Sequence, residues 1–138
     1  MKKIRIIVSI VLVLVLAGCK KDGTVDPAAA NMPVITNTQN AFAFDLVATA
    51  YTSNAVYPLS FSTDSLSCAL TITGQTAGNG SLRIVDSTSS TVYSDSTLSN
   101  KIVALTQTGK GIPKNITLEF NNYTGIINFA LSRSNKHS

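Results

Sequence analysis

The sequence lacks several residue types on which common protein functions depend. Its 138 residues include no Trp, a single His, two Cys, and only 13% charged residues. The single His, His137, is the second-last residue, where it cannot be held in place for Ser–His or Cys–His catalysis. The seven acidic residues are scattered singly, and no spacing of His, Cys or carboxylates predicts a metal site. We therefore expect no enzymatic activity, no cofactor and no metal.

The net charge of +4 comes largely from the N-terminus. Three of the eleven basic residues, Lys2, Lys3 and Arg5, lie in residues 1–18, so the other 120 residues carry eight basic and seven acidic side chains. A nearly neutral chain lacks the basic excess of a nucleic-acid-binding protein. Its length corresponds to one ordinary domain.

Residues 1–19 have the layout of an export signal. Their basic start precedes an apolar stretch from Ile6 to Leu16. This stretch is too short to cross a bilayer, for which a helix needs about 20 residues. The segment ends in Leu16-Ala17-Gly18-Cys19.

This ending resembles the lipobox of bacterial lipoproteins. In that family the Cys thiol receives a diacylglycerol, the chain is cleaved before the Cys, and the new amino group is acylated. The resemblance implies that residues 1–18 are a lipoprotein signal peptide and that Cys19 carries acyl chains such as palmitate. Such chains would hold the protein at a membrane. The alternative is an N-terminal anchor that stays attached.

Residues 19–40 are interpreted as the lipidated Cys followed by a flexible tether. The segment is polar and contains Pro27 and Pro33, with Pro33 to Ile35 as an alternative first edge of the domain. Lys20 stands where an Asp retains lipoproteins in the inner membrane of enteric bacteria, which favours the outer membrane. The start of the mature chain also resembles cell-surface lipoproteins of Bacteroidota, although it carries a single acid, Asp22. A solvated charged linker is the alternative.

From residue 41 the apolar residues alternate with a period of two, which predicts β-strands. The clearest case is Ser65 to Thr73, where Leu66, Cys68 and Leu70 share one face. Turn-forming residues separate the predicted strands, including 74–80 and 121–125. The predicted strands are 42–46, 56–61, 65–73, 82–86, 91–95, 98–106, 116–120 and 127–131. In the strand at 98–106 the inner pair is either Ile102 with Ala104 or Val103 with Leu105.

This pattern predicts an all-β fold. We expect a single antiparallel β-sandwich of about seven to eight strands over residues 41–134, either immunoglobulin-like or a jelly roll. Residues 135–138 are predicted to be a disordered tail. Cys68 is predicted to be a small buried hydrophobe. With Cys19 acylated, no disulfide can form within the mature chain.

Three Asp–Ser pairs lie at predicted strand ends or turns, at Asp64, Asp86 and Asp95. Turn capping by the Asp side chain is the favoured interpretation, and a calcium site is the alternative. Each pair, with its following residue, also resembles the O-glycosylation motif of Bacteroidota. The resemblance implies candidate O-glycosylation at Ser65, Ser87 and Ser96.

The aromatic residues divide into two groups. The five Phe residues fall in the inward phase and are predicted to form the core, whereas the four Tyr residues lie near strand ends. A loop with Tyr and Asn suits contact with a glycan or a protein. Tyr93, Tyr123 and Asn122 are therefore candidate ligand contacts, with bracing of a corner through the Tyr123 hydroxyl as the alternative.

The layout as a whole resembles the small β-sandwich lipoproteins of unassigned function from Bacteroidota. The resemblance implies lipid anchoring at the outer membrane, on the cell surface or the periplasmic face. We expect a non-enzymatic binding or accessory module for a glycan or a partner protein. The alternative is a structural envelope protein, or a subunit of a surface assembly, with no small-molecule ligand. A hydrolase is a third hypothesis, which requires distant carboxylates to converge.

Overall fold

The computed structural model describes residues 30–134, which form six antiparallel β-strands. The predicted all-β class is confirmed. The predicted signal peptide, Cys19, residues 20–29 of the tether and the tail at 135–138 lie outside the described residues. The strands are β1 Val34–Asn37, β2 Ala41–Pro58, β3 Leu66–Val85, β4 Thr91–Asp95, β5 Lys101–Gln107 and β6 Asn115–Arg133.

The six strands belong to one sheet, so the prediction of seven or eight shorter strands needs correction. The sheet order is β1-β2-β6-β3-β4, and β5 pairs with β3. Three pairs of predicted strands are joined into the long strands β2, β3 and β6. The predicted loop at 74–80 and the predicted turn at 121–125 lie inside β3 and β6. There each strand bends, and β6 remains paired with β2 and β3 on both sides of the bend.

The three long strands bend together at one corner of the sheet. The register shifts between Ala48 and Ser53 in β2, and between Thr73 and Asn79 in β3. Such bulges bend a strand and increase its twist. Four corner residues have a positive φ, which a left-handed backbone requires: Ala50 (49°), Gly74 (62°), Gly78 (72°) and Asn122 (50°).

Two threonine hydroxyls replace backbone partners at this corner. The Ala50 N–H donates to Thr124 Oγ1 at 3.0 Å, and the Asn122 N–H donates to Thr52 Oγ1 at 2.9 Å. Both hydrogen bonds are exposed, and they give partners to two N–H groups that the bulges remove from the regular strand pairing.

The bend folds the sheet over its own inner face and gives two layers. The first layer contains β1, β5 and residues 41–48, 66–73 and 125–133. The second layer contains β4 and residues 51–58, 77–85 and 115–123.

Aromatic side chains join the two layers across a single core. Phe44 of the first layer stacks on Phe120 of the second, with ring centroids 6.0 Å apart and planes 13° apart. Phe42 meets Tyr57 at 5.7 Å. Both Phe rings of β2 are buried. The predicted core role of the Phe residues is confirmed.

Side-chain hydrogen bonds link the layers at both margins of the sheet. Asn37 Nδ2 donates to the Pro58 carbonyl at 2.8 Å, and Gln107 Nε2 donates to the Val92 carbonyl at 3.1 Å. On β5, Val103 and Leu105 are half-buried against the core, whereas Ile102 is 80% exposed. The inner pair that the sequence left open is therefore Val103 with Leu105.

The sheet begins before residue 41, within the segment that the sequence analysis assigned to the tether. β1 pairs with residues 42–45 of β2. Ahead of β1, the Asn31 side chain donates to the Thr49 carbonyl at 2.9 Å and accepts from the Thr49 N–H at 2.8 Å. The side-chain amide of Asn31 therefore takes the place of a backbone peptide group as the partner of Thr49 in β2.

Candidate functional site

The outer face of the second layer carries an open polar groove with a volume of about 670 Å³. Strand alternation produces it, because Leu118 and Phe120 point into the core and Glu119 points outward between them. The same alternation turns Ser81 of β3 outward beside buried Leu82. Hydroxyl, amide and carboxylate groups consequently line the groove.

Three strands contribute one residue each to a row across the groove. Asn54 of β2 is opposite Glu119 of β6, which is opposite Ser81 of β3. Asn54 Nδ2 donates to Glu119 Oε1 at 3.4 Å, and Ser81 Oγ donates to Glu119 Oε2 at 3.4 Å. Both hydrogen bonds are long, so the exposed Glu119 carboxylate can still accept from a ligand. We call these three residues the polar row.

The connection between β4 and β5 forms one side of the groove with Ser96 and Thr97. Leu98 anchors this connection, because its side chain is buried and its N–H donates to the Gly80 carbonyl at 3.0 Å. A Cβ at Gly80 would lie 3.2 Å from Leu98 Cδ1 and 3.0 Å from Phe120 Cδ1. The missing side chain at residue 80 therefore lets the connection pack closely on β3.

An ion pair also holds the connection between β4 and β5, because it joins the residues at its two ends. Lys101 Nζ lies 2.9 Å from Asp95 Oδ2 and donates to the Thr97 carbonyl at 2.7 Å. Asp95 Oδ1 accepts from the Thr97 N–H at 3.1 Å. Because the Asp95 side chain is only 12% exposed, the pair is less screened by solvent than an open surface pair. The ion pair positions Thr97 beside the groove.

The other two Asp residues of the Asp–Ser pairs also hold loops. Asp86 Oδ1 accepts from Thr88 N–H at 2.8 Å, Thr88 Oγ1 at 2.7 Å and Ser90 N–H at 3.0 Å. The Thr88 hydroxyl is the main reason that the pKa of Asp86 is lowered. Asp64 Oδ2 accepts from the Gly109 N–H at 3.1 Å. Turn and loop capping is therefore what the structure supports.

Within residues 30–134, no group of three His, Cys, Asp or Glu side chains is arranged to hold a metal ion. The same part of the chain contains no helix that could cross a membrane.

The three candidate O-glycosylation sites lie in different connections of the fold. Ser87 is exposed in the turn between β3 and β4, and Ser96 is exposed beside the groove. Ser65 is half-buried ahead of β3, and its hydroxyl lies 3.4 Å from Thr108 Oγ1. Ser87 and Ser96 are therefore the more accessible hydroxyls.

Of the three candidate ligand contacts, the structure buries Tyr123, which is therefore not a surface contact. Tyr123 is fully buried against Phe120, with ring centroids 5.4 Å apart. Tyr93 is half-buried, and burial is the main reason that its pKa is raised to about 12. Asn122 is exposed at the corner, where the positive φ and the bond to Thr52 hold its backbone. The Tyr123 ring therefore offers no free face for stacking.

Tyr123 also does not brace the corner in the predicted way. Its hydroxyl is buried and has no hydrogen-bond partner among the described residues. Burial raises the pKa of Tyr123 to about 12. A buried hydroxyl without a partner costs about 1–3 kcal/mol.

We expect Tyr123→Phe to raise the free energy of unfolding by about 1 kcal/mol near neutral pH. Because an unfolded Tyr titrates near 10 and this buried one near 12, wild-type stability falls as the pH rises through this interval. The advantage of the variant should therefore grow at alkaline pH. Urea denaturation of wild type and variant at neutral and at alkaline pH measures this difference in the free energy of unfolding. An equal or lower stability of Tyr123→Phe would indicate that the hydroxyl has a stabilising partner.

Cys68 is buried on the inner face of β3, as predicted. Burial raises the pKa of its thiol to about 11. A reactive thiol requires the opposite, a lowered pKa and access to solvent. Cys68 is thus a packing residue.

No protein-family model matches this chain, and neither the curated proteins nor the solved structures contain a significant match. Any proposal about function therefore rests on the groove and on the sequence.

Proposed function

We propose that this protein is a lipid-anchored, non-enzymatic binding module of the bacterial outer membrane, and that its polar groove binds a glycan. The polar row is the observation that carries the binding part of the proposal. Asn54, Glu119 and Ser81 present amide, carboxylate and hydroxyl groups side by side on three adjacent strands. Sugar hydroxyls both donate and accept hydrogen bonds, so this combination suits them.

The absence of stacking aromatics supports weak binding. The groove has one aromatic residue along its lining, Phe120, and this side chain points into the core. Affinity then depends on hydrogen bonds, each worth about 0.5–1.5 kcal/mol, or about 1.5–3 kcal/mol to a charged group. A glycan with many repeats would compensate by binding several membrane-anchored copies of the domain at once.

The anchoring part of the proposal rests on the lipobox-like ending at Cys19. Acyl chains on Cys19 would hold the domain at the outer membrane. The two layers, which enclose one apolar core, would serve as the sandwich-like scaffold for the groove. Protease treatment of intact cells distinguishes the two orientations, because a surface domain is cut and a periplasmic domain is protected.

Glycan binding is tested with the full chain purified in mild detergent and a panel of neutral oligosaccharides. We expect Glu119→Gln to weaken binding about tenfold, equivalent to about 1.4 kcal/mol, and Asn54→Ala to weaken it as well. Asn128→Ala is the matched control, since Asn128 is exposed on the outer face of the first layer. Binding that is unchanged in both groove variants, or absent for every oligosaccharide, would contradict the proposal.

A structural role in an envelope assembly is the second candidate, and the outer face of the first layer favours it. Opposed positions place Ala104, Ala69, Ala130 and Ala43 in one line across four strands. The outward positions of this layer carry one charge, at Asp45. In-cell cross-linking that captures an envelope partner, together with no glycan binding, would favour this second role.

A further inference from the structure

The sheet has free edges that differ in their protection against pairing with another strand. β1 has only four residues, and β4 has a register shift against β3. The part of β2 that extends beyond its pairing with β1 ends at Pro58. Short strands, bulges and prolines all hinder edge-to-edge pairing.

β5 has none of these protections. It runs for seven residues, Lys101–Gln107, and pairs with β3 through an uninterrupted register. Its other edge has no backbone partner among the described residues. After Lys101 the strand carries no charge and no proline, and Ile102 is 80% exposed. An edge of this kind attracts another strand.

We propose that β5 pairs antiparallel with β5 of a second copy of this chain, about a two-fold axis at Ala104. This register uses all seven residues. It places Ile102 opposite Thr106 of the second copy, and Val103 opposite its Leu105. The axis is perpendicular to the sheet, so outward residues meet outward residues and half-buried residues meet half-buried residues.

The register is self-complementary in chemistry as well as in geometry. Each half-buried Val103 gains an apolar cross-strand neighbour in Leu105, and aliphatic pairs of this kind stabilise a sheet. Lys101 is opposite Gln107, so no like charges meet along the paired strands. These features select a second copy as the occupant.

The first described residues lie away from this edge. The described residues begin beside β2, where Asn31 binds Thr49. In the first layer the strand order places β1 and β2 at the margin opposite β5.

Cysteine trapping tests the two-fold axis with the full chain in mild detergent. Opposed Cα atoms in antiparallel strands lie about 4.5–5.5 Å apart, which a disulfide can bridge. Under mild oxidation Ala104→Cys should form at least tenfold more covalent dimer than wild type. Ile102→Cys is the matched control, because its own copies would be four residues apart along the strand, roughly 13 Å. No excess dimer for Ala104→Cys, or equal dimer for both variants, would overturn the proposal.

A charge at the same position supplies an independent test. Ala104 is exposed, so Ala104→Lys should keep the monomer fold, as judged by an unchanged unfolding midpoint. It should shift the sedimentation mass at high protein concentration from dimer to monomer, since it opposes two Lys side chains. Ala130→Lys, in the middle of the same face, should remain dimeric. Monomers for Ala130→Lys but not for Ala104→Lys would indicate packing between sheet faces and overturn edge pairing.

Discussion

Replacing Phe44 by alanine is expected to lower the free energy of unfolding by about 3–5 kcal/mol. The Phe44 ring is 1% exposed and connects the two layers through its stack on Phe120. It also lies 6.4 Å from the Tyr57 ring. Truncation removes buried apolar surface and leaves a cavity at the joint between the layers. Since single domains are stable by about 5–15 kcal/mol, most of the stability would be lost.

Urea denaturation followed by circular dichroism measures this loss. Val56→Ala is the control, because Val56 is 59% exposed on the neighbouring part of β2. A change within about 0.5 kcal/mol is expected for it. A loss at Phe44→Ala no larger than that of the control would show that the layers do not share a core.

Gly78→Ala is expected to be the most damaging change at the corner of the sheet. Gly78 has a φ of 72°, and a Cβ there would lie 2.2 Å from the carbonyl oxygen of Asn122. A left-handed backbone costs a residue with a Cβ about 1–2 kcal/mol. Displacing the opposed backbone of β6 adds about 1–3 kcal/mol, as overpacking does elsewhere.

Gly74→Ala separates these two contributions. Gly74 has a similar φ of 62°, but nothing lies within 4 Å of its Cβ position. Gly74→Ala should lower the free energy of unfolding only by the cost of the left-handed backbone, about 1–2 kcal/mol. Thermal unfolding of both variants measures the difference, and equal losses would contradict the close approach of β3 and β6 at Gly78.

Period-two alternation predicted the strand segments well, but it failed at the corner for a physical reason. Residues 74–80 include Gly74, Gly78 and Gly80, a composition typical of loops. Glycine allows a left-handed φ and a close backbone approach, and both chain reversals and bulges need these properties. The sequence therefore indicates where the backbone is special. It does not indicate whether the chain turns back or bends and continues.

An irregularity in β6 explains why Tyr123, a candidate ligand contact in the sequence, is buried. Before the corner, even-numbered residues of β6 point inward, as Leu118 and Phe120 do. After the irregularity at Asn122 the phase shifts, and odd-numbered residues such as Tyr123 and Ile127 are buried. One extra residue in a strand reverses its faces. Counting the alternation places this shift between Phe120 and Ile127, but it does not assign the phase of Tyr123 between them.

The polar groove depends on pairing between distant segments. Asn54, Ser81 and Glu119 each occupy an outward position that alternation can assign, yet they lie up to 65 residues apart in sequence. They become neighbours because β6 lies between β2 and β3 in the sheet. No local pattern in the sequence specifies this strand order, so the polar row could not be predicted.

Acylation of Cys19 is the most direct test of the central claim, which is that a lipid anchors this domain. Cells that produce the protein are grown with a clickable palmitate analogue, and the purified chain is tested for the label. Lipid anchoring predicts label in wild type and in Cys68→Ala, which removes the buried thiol, and no label in Cys19→Ala. Label that persists in Cys19→Ala, or is absent from wild type, would contradict the lipid anchor.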